Sequence, residues 1–148
     1  MPRPPGTRTV GGDPRWWIGV LAVAALLRVV RLGHQSLWID ELISLQLATY
    51  ASGAEFWRGL LTDIHGPFNS VILHGWAVFG TGERWLRLLY VVPGVLMIPL
   101  IGRLGTQLFD ANVGRVSAVL AAISPFHIWY SQEVRSYAWA LLWITGAL

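Results

Sequence analysis

The chain has 148 residues, 54% of them hydrophobic and 13% charged, where ordinary soluble domains carry about 25% charged residues. With a mean hydropathy of +0.51 it has too little polar surface to wet a globule of this size, so most of its apolar surface must face lipid or other membrane helices. The absence of cysteine excludes disulfides and cysteine metal sites. The net charge is +3, and all eleven cationic side chains are arginines, spread along the chain and partly inside apolar stretches; this is not a nucleic-acid-binding face, and no nucleic acid partner is expected.

In chain order, residues 1–15 read as a disordered cytoplasmic tail rich in Pro, Gly and Arg. Trp16 to Leu32 is an apolar run with Arg28 and Arg31 in its last turn. A basic start before an apolar run also describes a signal peptide, but Arg-Val-Val-Arg follows here instead of a small-residue cleavage site. The run is therefore expected to be a first spanning helix, with its amino terminus in the cytoplasm. Gly33 to Glu83 forms a long loop with Asp40, Glu41, Glu55, Asp63 and Glu83 against one cation, Arg58, a balance that suits the non-cytoplasmic side. Ile39, Leu42, Ile43, Leu47 and Tyr50 recur at helical spacing, which predicts an amphipathic helix over 41–50 lying on the membrane surface. Residues 54–62 predict a second.

Pro67 to Phe79 is too short to cross the roughly 30 Å hydrocarbon core and carries Asn69, Ser70 and His74. It is expected to be a third interfacial or partly inserted helix. Trp85 to Leu104 is long enough to span, bent at Pro93 and Pro99. Val116 to Trp129 spans again, closing at Ser124-Pro125. A polar island, Tyr130 to Tyr137 (YSQEVRSY), precedes a last apolar run, Ala138 to Leu148. The expected class is an all-α polytopic membrane protein with three to four spans plus juxtamembrane amphipathic helices. If 67–79 does not span, Arg103 and Arg115 fall in the cytoplasm, and the island shares the outer side with Asp40 and Glu41. That arrangement satisfies the positive-inside rule and gathers the polar groups.

Three constellations carry possible chemistry. In SLWIDE, Asp40 either caps a helix beginning at Glu41 or serves as general base toward an acceptor hydroxyl; the two roles are compatible. In the island, Arg135 offers a planar fork suited to a phosphate oxygen, or else forms a structural pair with Glu133 or Glu41. His65, before Gly66-Pro67, is either a polar surface residue or a substrate contact. Arg28, Arg31, Arg84 and Arg87 either snorkel to headgroups or hold a lipid phosphate or a loop carboxylate. A base for an incoming hydroxyl and a cation for a departing phosphate are what glycosyl transfer from a lipid-linked phosphate sugar requires.

At these residues the sequence resembles the GT-C superfamily of membrane glycosyltransferases. The likeness is greatest to the family 39-like group of protein O-mannosyltransferases, aminoarabinose transferases and bacterial Rgt-type sugar transferases. Arg28 to Glu41 (RVVRLGHQSLWIDE) resembles the end of the family's first helix and its acidic catalytic loop. His65-Gly66-Pro67 resembles its His-Pro-Pro turn, with Gly for the first Pro. Glu83 to Gly105 resembles its Leu-Arg-Leu-Pro helix, with Tyr90 where Pro is common. Ser124 to Tyr137 (SPFHIWYSQEVRSY) resembles its Ser-Pro-Phe…Tyr-Ser-Gln-Glu-x-Arg-x-Tyr segment and is the most specific match.

The resemblance implies Asp40 as the catalytic carboxylate, with Glu41 positioning or pairing. It implies His65, Gln132, Glu133, Arg135 and Tyr137 as substrate-binding residues on the outer face of a plasma-membrane protein. It implies a polyprenyl-phosphate sugar as donor and a lipid, glycan or protein as acceptor. No cofactor is expected: some relatives use a divalent metal and others do not, and no ligand set here is convincing. Relatives are several hundred residues long, so the chain is expected to be an amino-terminal part of such a transferase. A non-enzymatic membrane protein, such as a transporter segment or assembly partner, is the alternative; a transporter would place its ionisable residues at mid-bilayer depth.

Overall fold

Among the described residues every regular element is an α-helix: α1 (Pro14–Val29), α2 (Ile39–Ala48), α3 (Gly53–Thr62), α4 (Pro67–Ala77), α5 (Glu83–Leu108), α6 (Ala111–Ile123), α7 (Pro125–Tyr130) and α8 (Tyr137–Gly146). The computed structural model describes residues 13–30, 32–49, 53–62 and 67–148. Arg31, Tyr50, Asp63, His65 and the tail before Asp13 lie outside the described residues.

Local chemistry sets the ends. The Asp13 carboxylate accepts the Arg15 amide at 2.9 Å, and Pro14 sits in the first turn, where a missing N–H costs nothing. Helix α1 thus takes in residues 14 and 15, expected in the tail, and stops at Val29, short of Leu32. Asp110 caps α6 by accepting the amides of Asn112 at 2.7 Å and Val113 at 3.0 Å. The single span expected over Val116 to Trp129 is two helices. Pro125 has no N–H to give and its ring excludes the carbonyl four residues back, so α6 ends at Ile123 and α7 starts afresh.

By length and composition one described helix, α5, is long and apolar enough to cross a membrane, and α6 is a shorter apolar helix. The 26 residues of α5 run unbroken through Pro93 and Pro99, further in both directions than the expected 85–104. With only the two residues Phe109 and Asp110 between them, α5 and α6 pack antiparallel along a seam of small residues. A Cβ on Gly114 would stand 2.5 Å from the Gly102 carbonyl oxygen and 3.0 Å from the Thr106 amide nitrogen. Only glycine permits that backbone approach. Further along the seam Ala118 and Ala122 meet Ala24 of α1 and Ile98 of α5 in one core, flanked by Trp16, Trp17, Val20 and Leu21.

The second core lies near the start of α5. Ala48 of α2, Leu73 of α4, Leu86 and Tyr90 of α5, and Val134 of the island bury one another. The Tyr90 hydroxyl donates to Asn69 Oδ1 at 2.9 Å, which ties α4 to α5. Helix α4 has 11 residues, a rise of about 16 Å, and packs beside α2 and α5. Of the stripe expected on α2, Ile39, Leu42 and Ile43 face outward while Leu47 is buried.

The bundle therefore has two chemically distinct ends. Trp17 near the start of α1 lies against Gly102, so Arg15, Arg103 and Arg115 gather at one end. Arg87, α2 and the island occupy the other. The 16 positions from Arg87 to Arg103 along α5 correspond to about 24 Å.

Candidate active site

The island is placed by Glu41. Its carboxylate is 1% exposed and accepts three donors: the Trp38 amide at 3.0 Å, the Val134 amide at 2.7 Å and Arg87 Nη2 at 3.1 Å. Arg87, 5% exposed, also donates to the carbonyls of Leu32 and Gln35, both at 2.9 Å. One buried ion pair thus joins the loop after α1, the first turn of α2, the island and α5. Capping by Asp40 is overturned. Helix α2 starts at Ile39 with Trp38 at the cap position, and Glu41, three residues on from the cap, reaches back to the Trp38 amide.

Asp40 instead points outward, its side chain 63% exposed, and Arg135 Nη2 stands 3.8 Å from its Oδ2. Arg135 thus stands opposite Asp40 across an opening. Both line a cleft of about 370 Å³ with Trp38, Glu41, Glu133 and Tyr137. The Arg135 guanidinium carbon lies 5.8 Å from the centre of the Tyr137 ring, and Tyr137 meets Tyr130 edge to face. Glu133 Oε1 accepts the Trp129 indole N–H at 2.6 Å. The cleft joins a carboxylate open to solvent, a guanidinium held over an aromatic ring and a second carboxylate. It can take a proton at Asp40 and meet an anion at Arg135.

Of the expected site residues, Asp40, Glu41, Glu133, Arg135 and Tyr137 come together here. His65 lies outside the described residues. Gln132 stands apart: its amide nitrogen donates to the carbonyls of Arg28 at 2.8 Å and Val30 at 3.4 Å, clasping the end of α1. Among the described residues no group of three His, Asp or Glu is placed to hold a metal ion.

Two arginines do not snorkel. Arg87 takes the alternative of holding a loop carboxylate, Glu41. Arg28 is fully buried and meets no carboxylate among the described residues. Its N–H groups go to the carbonyls of Ala24 at 2.9 Å, Ala122 at 3.0 Å and Ala121 at 3.2 Å, to Ser131 Oγ at 3.3 Å, and to His127 Nδ1 at 2.7 Å. A guanidinium only donates, so Nδ1 accepts and the His127 ring proton sits on Nε2. Ser131 and His127 carried no signal in the sequence beyond membership of the Ser124–Tyr137 segment. Trp129 could have been found from its spacing, four residues before Glu133 across the end of a helix.

Comparison with protein-family models, with curated proteins and with solved structures finds no match to this chain.

Proposed function

We propose that the chain is a multi-pass membrane glycosyltransferase unit that moves a sugar from a polyprenyl-phosphate donor to a lipid, glycan or protein acceptor on the non-cytoplasmic face. The observation that carries this reading is the cleft in which Asp40 and Arg135, 95 residues apart in sequence, stand 3.8 Å from one another. In the proposed reaction Asp40 takes the proton of the acceptor hydroxyl as its oxygen attacks the anomeric carbon. The bond from that carbon to the phosphate oxygen breaks on the opposite face, with inversion. The electron pair leaves on the phosphate, whose charge Arg135 meets. Glu41 is a positioning residue, held inside by Arg87 while Asp40 projects into the cleft.

Membrane residence is supported by large apolar side chains exposed along α1, α5, α6 and α8, among them Ile18, Leu26, Leu96, Leu120 and Ile144, a surface that water would disfavour. The gathering of Arg15, Arg103 and Arg115 at the end away from the cleft supports a cytoplasmic position for that end. The chain has no cysteine, which gives a clean background for labelling. Single cysteines at 40 and 135 should react with a membrane-impermeant maleimide from outside, and cysteines at 103 and 115 only after permeabilisation. Labelling of 40 and 135 from opposite sides would end the enzymatic reading.

In a transfer assay with a polyprenyl-phosphate sugar and membranes containing the protein, Asp40→Asn should reduce turnover at least a hundredfold with membrane insertion unchanged, since a positioned base typically contributes about 10²–10⁴-fold. Wild-type turnover in Asp40→Asn would remove that carboxylate from the mechanism.

A further inference from the structure

A second cavity of about 370 Å³ opens on the other side of the wall formed by Trp38, Trp129 and Glu133; its lining also includes Gln35, Arg87 and Gln132. Among the described residues the Nε–H of this buried arginine has no hydrogen-bond partner, while both terminal nitrogens are committed to carbonyls and to Glu41. That nitrogen carries almost no accessible surface, so Arg87 serves the cavity as a fixed wall and not as a donor into it. Two indoles, Trp38 and Trp129, are substantially exposed beside it. The Gln132 amide nitrogen is fixed on the Arg28 and Val30 carbonyls, which leaves its side-chain oxygen as an acceptor. Glu133 contributes a carboxylate already anchored by Trp129.

Flat apolar faces beside fixed acceptors suit a ring that carries C–H bonds on its faces and hydroxyls round its rim. The Arg87 charge is matched by Glu41, so the net charge facing the cavity is that of Glu133, and an acidic ring is disfavoured. We propose that this cavity is a subsite for a neutral sugar ring, which stacks on Trp38 and turns its rim hydroxyls to the Gln132 side-chain oxygen and the Glu133 carboxylate. The inference rests on the glycosyltransferase reading for its setting and deepens it: the subsite shares a wall with the Asp40–Arg135 cleft, so a sugar held here lies next to the reacting groups.

The test is saturation-transfer NMR on the full 148-residue chain in detergent micelles, with methyl glucoside, methyl mannoside, methyl galactoside and methyl glucuronide as probes. At least one neutral methyl glycoside should receive saturation, strongest at its ring C–H protons. Methyl glucuronide should bind at least tenfold more weakly. Trp38→Ala should weaken the neutral probe at least tenfold. Trp38 meets Glu41 through its backbone amide, which this substitution retains. Trp38→Phe should restore most of the binding by returning an aromatic face. Asp40→Asn should bind the probe as wild type does. No saturation of any neutral probe by the wild-type chain, equal binding by Trp38→Ala and wild type, or equal binding of the glucuronide would overturn the proposal. Probe binding that survives while Asp40→Asn transfers sugar normally would leave the subsite standing and remove the transferase reading. Asp40-dependent transfer without probe binding would do the reverse.

Discussion

Arg87→Met should destabilise the folded chain by roughly 3–5 kcal/mol, the usual cost of removing one partner of a buried ion pair. Methionine fills much of the same volume, so the loss is electrostatic. The Glu41 carboxylate stays buried with two amide donors, at Trp38 and Val134, but without its cation. The carbonyls of Leu32, Gln35 and Ser36 lose their donor as well. The double variant Glu41→Gln/Arg87→Met should recover more than half of the lost stability, because a neutral side chain removes the stranded charge. Unfolding in mixed micelles, followed by circular dichroism, measures both. A single variant within about 0.5 kcal/mol of wild type, the range of ordinary surface substitutions, would show that the pair does not hold these segments together. The release should also reach the cleft, since Asp40 directly precedes Glu41 and Arg135 directly follows Val134.

Arg28→Met should cost about 3 kcal/mol or more, because each buried polar group left unmet costs about 1–3 kcal/mol and several lose their partner together. The carbonyls of Ala121 and Ala122 belong to the last turn of α6, where no further helical N–H exists to meet them. Arg28 reaches across from α1 to serve both, and its charge suits the negative end of that helix. Arg28→Lys separates charge from shape. An ammonium keeps the charge but cannot fork to two adjacent carbonyls, His127 and Ser131 at once, so it should recover less than half of the loss in the same unfolding measurement. Full stability in Arg28→Lys would mean that charge alone matters at this position.

Much of the helical layout was legible in the sequence because caps and breakers act locally. Asp110 before α6, Ser124-Pro125 after it and the shortness of the 67–77 segment all carry their reasons within a few residues. Val116 to Trp129 reads as one span closing at Ser124-Pro125, whereas the proline divides it into α6 and α7. Asp13 reads as part of the tail, although it caps α1. The division of labour between Asp40 and Glu41 could not be read at all. Neighbours on a helix point about 100° apart, so one of the two had to turn inward. Which one depends on Arg87 and Val134, 46 and 93 residues away. The same distance dependence hid the burial of Arg28, which looks like any arginine at the end of an apolar run until α6 and α7 are folded over it.

The glycine seam between α5 and α6 bears on how the molecule would sit in lipid. Contacts made of backbone and small side chains leave no long rotamers to rearrange, so this hairpin can neither slide nor splay without losing its fit. In bilayers thicker or thinner than its apolar length, accommodation would come from tipping the pair as one rigid rod. On the proposed membrane placement, the height of the cleft above the opposite leaflet would follow the tilt angle, and membrane thickness would set how far a lipid-borne headgroup must rise to reach it.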